Sequence, residues 1–243
     1  MAIFEIAVAG VGFFLAGVIK GATGLGYASC ALPFLVISFG LKPAMCIVIL
    51  PALATNIQLA FAAGHFRETI AKFRWLYLTM LPGIVVGIYF LNIMNQSLSV
   101  QIFGFVIVTY ALLALGKPQF RMPSYLEAPL QWPTGFLNGV VTGLTGAQVM
   151  PLFPYVMSLQ LDSDRTVQVV NLSVMIATTA LAVGLISTGV LTPELFFVSL
   201  IALVPALIGT EIGNRVRSKI PAQNFRRLAL LTLLLLGTLM LMR

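Results

Sequence analysis

Residues 17–24 read Gly-Val-Ile-Lys-Gly-Ala-Thr-Gly and residues 139–146 read Gly-Val-Val-Thr-Gly-Leu-Thr-Gly, five identities in eight positions at an offset of 122. Each copy interrupts an apolar stretch. A GxxxG pair at Gly83 and Gly87 returns at Gly209 and Gly213, an offset of 126, so the first half of the chain is echoed by the second. Lipid offers backbone groups no water to bond, and it tolerates a broken helix only where protein buries the break or a cavity lines it. A break repeated at matching positions of a duplicated chain therefore points to a central site between the repeats.

Composition sets the class. The 243 residues are 59% hydrophobic and 9% charged, with mean hydropathy +1.02. A soluble domain of this size would expose too much apolar surface to stay dispersed, so the chain reads as an all-α polytopic membrane protein. The net charge of +7 would suggest a nucleic-acid partner in a soluble protein. Its placement argues for the bilayer instead, since ten of the 14 basic residues lie between apolar stretches, where they act as cytoplasmic orientation signals. Cys30 and Cys46 both fall in apolar stretches and read as packing residues, not as a disulfide or a zinc site. The N-terminal apolar stretch lacks a basic leading region and is expected to remain in the fold.

Apolar stretches run over 2–19, 27–39, 44–63, 75–91 and 98–115, and again over 132–147, 149–160, 165–187, 194–213 and 223–242, five in each half. Stretches 27–39 and 149–160 are too short for a hydrocarbon core of about 30 Å and read as half-helices. Each half is thus a Gly-broken helical hairpin followed by three transmembrane helices. The leading pair adds no net crossing and the other three reverse the chain, so the two repeats have inverted topology. Charge agrees: 64–74 carries three basic residues and its counterpart 188–193 none, while 92–97 carries none and its counterpart 214–222 three. The positive-inside rule then puts 64–74, 117–131 and 214–222 in the cytoplasm and both termini outside, periplasmic or extracellular. Lys42 falls outside on this scheme. The proline-rich segment 117–131 links a first membrane repeat, 1–116, to a second, 132–243.

A glycine-rich break with hydroxyls suits an anion. Glycine admits a ligand to backbone N–H groups, threonine adds a donor, and the following half-helix presents a partial positive charge. Gly21, Thr23, Gly24 and Gly26 are expected to face Gly143, Thr145 and Gly146 near mid-membrane, with non-helical backbone around a polar cavity; the alternative is that these small residues only allow close helix packing. Lys20, between apolar flanks beside the first break, needs a partner or water inside the membrane, which an anionic substrate would supply, unless it snorkels to an interface. Asn56 and Gln58, with Gln168, Asn171, Ser173, Thr178 and Thr179, lie in equivalent spans. Of these, Asn56 and Asn171 are the leading candidates to line a pathway, against simple interhelical hydrogen bonding. Gln148, beside the second break, joins them. Glu211, between Gly209 and Gly213, is an acid embedded in a span, a candidate for a coupling proton or, with Arg215 four residues on, an ordinary helix pair. His65 reads as interfacial.

Other classes are excluded by what the chain lacks. It has no phosphate-binding GxxxxGK[ST] loop for ATP hydrolysis, no nucleophile–histidine pair within the spans and one histidine in all. No enzyme, cofactor or metal site is expected. A secondary carrier, a passive channel and a non-transporting membrane partner remain.

The paired breaks, the GxxxG before a basic segment ending in Ile220-Pro221, and the size together resemble the TauE/SafE family of sulfite and organosulfonate exporters, over essentially the whole chain. The first break, GATGLGYASCALP, keeps that family's glycine-rich run and following proline; the second, GLTGAQVMPLFP, has Ala147 and Gln148 where glycine is expected. The resemblance implies transport of sulfite, thiosulfate or an organosulfonate across the bacterial inner membrane, in either direction.

Overall fold

The computed structural model describes residues 3–23, 26–62, 66–116, 121–216 and 222–242, and in these the chain is helical with no strand. The helices are α1 (Ile3–Thr23), α2 (Tyr27–Phe39), α3 (Leu41–Ala62), α4 (Phe66–Lys72), α5 (Arg74–Ile93), α6 (Gln96–Gly116), α7 (Ser124–Glu127), α8 (Gln131–Thr145), α9 (Leu152–Ser158), α10 (Ser163–Ser187), α11 (Pro193–Val216) and α12 (Ala222–Leu241). All but α4 and α7 fall on the apolar stretches read from the sequence. Those two short helices occupy the basic segments. Helices α5, α6, α10 and α11 are long and apolar enough to cross a membrane, and their outer faces expose large apolar side chains such as Val85, Phe105, Val183 and Ile201. At one end, Trp75 of α5 stacks on Trp132 of α8 with ring centroids 4.4 Å apart, and Arg74 lies over the Trp75 ring. Aromatic and basic side chains of this kind favour the membrane–water boundary.

Lipid tails are as apolar as leucine, so helices in a bilayer are held by close packing, and small residues permit the closest approach. The longest interfaces here are α5 along α8 and α1 along α11. In the first, a Cβ on Gly139 would stand 2.9 Å from Ile84 N and 3.0 Å from Gly83 Cα, and one on Gly143 2.9 Å from Gly87 Cα. In the second, a Cβ on Gly17 would stand 3.1 Å from Gly209 Cα, and one on Gly21 3.0 Å from Gly213 C. The repeated Gly-x-x-x-Gly of each break-bearing helix therefore meets the Gly-x-x-x-Gly of a helix in the other half. Other contacts recur with counterparts exchanged: α3 packs on α11 and α10 on α5, while α3 packs on α10 and α6 on α12.

The breaks are shorter than expected. Helix α1 continues through Gly21 to Thr23 and α8 through Gly143 to Thr145, because both segments lie against another helix's backbone, where intrahelical bonds are the only ones on offer. Gly24 lies outside the described residues, as do His65 and the side chains of Thr23 and Gln58. Left-handed glycines turn the chain at each break, Gly26 at φ 83° and Gly146 at φ 72°. They occupy different ends of their breaks: Gly26 precedes α2, whereas Gly146 closes α8 with its N–H on Thr142 O. The second half-helix, α9, has 7 residues against 13 in α2. Pro151 has no N–H to place inside a helix and stands before its first residue.

Backbone contact makes a direct forecast. Gly139→Val is expected to force α5 and α8 apart and cost roughly 1–3 kcal/mol as overpacking, read as a lower unfolding temperature in detergent. Gly10→Ala, where a Cβ meets nothing within 4 Å, should be neutral or stabilising.

Candidate functional site

Three candidate residues from three helices meet at one point. Asn56 on α3 donates its Nδ2 to Ala52 O at 2.6 Å, and Asn171 on α10 donates its Nδ2 to Val167 O at 2.8 Å. Each amide is thereby tied to a carbonyl one turn back on its own helix. Tethered in this way, both present Oδ1 to the same cation: Lys20 Nζ donates to Asn56 Oδ1 at 2.6 Å and to Asn171 Oδ1 at 2.7 Å. Lys20 is 1% exposed, Asn56 2% and Asn171 0%. The lysine does not snorkel. Its position on α1, beside the glycine face that locks onto α11, carries the side chain inward to the α3–α10 pair.

An ammonium has three donors, and two are used here. Among the described residues no carboxylate pairs with Lys20. Amide oxygens solvate an ammonium without neutralising it, so when protonated Lys20 places one positive charge inside the protein, with one N–H uncommitted among the described residues.

The level of this cluster can be read along the helices. Asn56 lies near the end of α3 that leads to Arg67, Lys72 and Arg74, and Asn171 near the start of α10, whose Arg165 pairs with Glu68 of α4 at 3.2 Å. At 1.5 Å per residue these positions lie about 9 and 12 Å from those helix ends. The second break acts at a different level. Gln148 Nε2 donates to Thr178 Oγ1 at 2.9 Å, and Thr178 follows Asn171 on α10 by about 10 Å of helix rise. A Cβ on Gly146 would meet Met45 Cγ of α3 at 2.8 Å and Leu32 Cδ1 of α2 at 3.4 Å. Both breaks thus abut the α3–α10 pair at separate heights.

Other candidates take local roles. Thr145 donates its hydroxyl proton to Val141 O at 2.6 Å and accepts from Ala147 N at 3.2 Å, shaping the break. Gly21 and Gly143 face α11 and α5. Among the described residues nothing lies within 4 Å of where a Cβ on Gly26 would be. Glu211 pairs with Arg215 at 2.8 Å, both side chains exposed, and is not brought to Lys20. The cluster is closed rather than open. Cavities of about 440 and 350 Å³ lie instead at the α2–α3 turn, around Phe39, Gly40 and Gln96.

The chain matches the family model described as Sulfite exporter TauE/SafE over residues 8–240. It belongs to this family. No curated protein and no solved structure matches the chain. As a TauE/SafE member it is a multi-pass membrane transporter of the sulfur-anion exporter type.

Asn138 of this TauE/SafE chain is a polar residue that motif reading passed over. It is fully buried with neither amide atom partnered among the described residues. The signal was present as Gln131, Thr134, Asn138, Thr142 and Thr145, spaced as one stripe of a helix and all buried.

If the amides serve to solvate Lys20, their loss should matter only while the charge is there. Asn171→Leu is expected to cost roughly 1.5–3 kcal/mol, the loss of a hydrogen bond to a charged group. In a Lys20→Met background the same change should cost far less, giving a clear coupling energy in a double-mutant cycle of unfolding measurements.

Proposed function

We propose that the chain is a secondary transporter that carries a small sulfur-containing oxyanion past Lys20, its two halves acting as inverted repeats that expose the site alternately to the two sides. The observation that carries this reading is the unneutralised ammonium, buried among neutral oxygens with one donor to spare. A charge at the centre of a membrane helix costs on the order of 2.5–3.5 kcal/mol, and a bound anion would offset that cost where no acidic side chain among the described residues does. Asn56 and Asn171 then hold the lysine in place. Gln148 with Thr178, and the left-handed glycines Gly26 and Gly146, provide polar groups at the levels the anion passes on either side.

Occlusion favours a carrier over a passive channel. A pore lining meets water along its length, whereas Lys20, Asn56 and Asn171 are at most 2% exposed. Access to them requires movement. The exchanged packing, in which each break-bearing helix is fastened to the opposite half, supports rocking of paired helices about the α3–α10 axis. The family supports a bacterial inner-membrane location, and the distribution of basic residues supports both termini outside the cytoplasm. Coupling to protons fits a secondary carrier, and Glu211 on its exposed face is the weaker candidate for it beside the buried lysine.

Proteoliposomes loaded with sulfite provide the test. Wild-type protein is expected to move sulfite in a saturable manner that responds to an imposed proton gradient. Lys20→Met should abolish that movement while the protein remains folded, judged by its elution and unfolding profile. Undiminished transport by a folded Lys20→Met protein would remove the lysine from the route, and non-saturable flux through the wild type would favour a channel.

A further inference from the structure

Gln168 precedes Asn171 on α10 by one turn, on the same face and on the side of the basic end. It is fully buried, and among the described residues neither its Nε2 donor nor its Oε1 acceptor has a partner. The amide thus presents N–H donors and an acceptor oxygen that no described residue takes up. A buried amide left unpartnered destabilises a protein, and an apolar side chain of similar shape would not. Its groups gain by bonding to something that enters. Beside the Lys20–Asn171 contact, the site therefore offers one positive charge, the spare lysine N–H, an amide N–H and an amide oxygen.

We propose that Gln168 completes the anion site and that the site selects a singly charged oxyanion retaining one O–H, so that sulfite is taken as hydrogensulfite and not as the dianion. This rests on the reading of Lys20 as the anion-binding charge. A dianion brings a second negative charge that nothing among the described residues at this level balances, and charge left unpaired in a dry interior is strongly disfavoured. All its oxygens accept, so the Gln168 carbonyl would face them unbonded. An alkylsulfonate matches the charge but has no proton for that carbonyl. Hydrogensulfite satisfies each group: its oxygens accept from Lys20 and Gln168 Nε2, and its O–H donates to Gln168 Oε1.

The experiment is a thermal-shift titration of the detergent-purified full chain with hydrogensulfite, methanesulfonate and thiosulfate, at one mildly acidic pH that holds sulfite as hydrogensulfite. Wild type is expected to bind hydrogensulfite about tenfold or more tightly than methanesulfonate, with thiosulfate weakest, in keeping with a hydrogen bond to a charged ligand. Gln168→Leu should unfold at the same or a higher temperature without ligand, yet lose the preference for hydrogensulfite over methanesulfonate; Gln168→Met repeats the test should the leucine variant fail to fold. A Gln168 variant that is less stable but keeps the preference makes the glutamine a packing residue and overturns the inference, leaving the Lys20 reading intact. Tighter binding of thiosulfate than of hydrogensulfite overturns the monoanion class. If no anion shifts the wild type and Lys20→Met behaves identically, the parent reading falls and this one with it.

Discussion

Two helix pairs in this protein touch backbone to backbone, α1 with α11 and α5 with α8, and no side chain larger than a hydrogen fits at the crossing points. In a bilayer there is little hydrophobic gain from bringing helices together, so contact of this closeness is a principal source of cohesion. Each crossing joins a helix of the first half to one of the second. The halves clasp each other. What remains in the middle is the α3–α10 pair, contacted by both clasps.

That arrangement explains why a lysine can sit where it does. Helix α1 is fixed by its glycine face on α11, which turns Lys20 toward α3 and α10 and away from lipid. The two asparagines it meets are not free amides, since each is anchored to its own helix by its NH₂ group, leaving only oxygen to point at the cation. Such a shell lowers the penalty of burying the charge without cancelling the charge. A carboxylate in the same place would have made a neutral pair with little reason to bind an anion.

The two breaks, similar as they are in sequence, do different work. At the first, Lys20 near the end of α1 reaches Asn56 and Asn171, and Gly26 turns the chain into α2. At the second, Thr145 and Gly146 fold the chain tightly against α2 and α3, and Gln148 reaches Thr178 about 10 Å further along α10. The lysine level and a neutral polar level stand in series along α10.

Much of the fold was legible in the chain itself. Hydropathy and the spacing of glycine marked the ten apolar helices and both breaks, because lipid forces any spanning segment into helix and lets only glycine-rich backbone depart from it. Lys20, Asn56 and Asn171 could each be singled out, since polar groups are rare in such spans. Their meeting could not be, as it depends on how three helices far apart in sequence are rotated against one another. Nor could the sequence separate the glycines that pack from those that turn: Gly21 and Gly146 look alike in a motif, yet one lies under a neighbouring backbone and the other at positive φ. Asn138 and Gln168 read as ordinary polar residues of a helix face. Only the tertiary structure closes protein around them and leaves their amides without partners among the described residues, because burial and partnership belong to surroundings that no local pattern encodes.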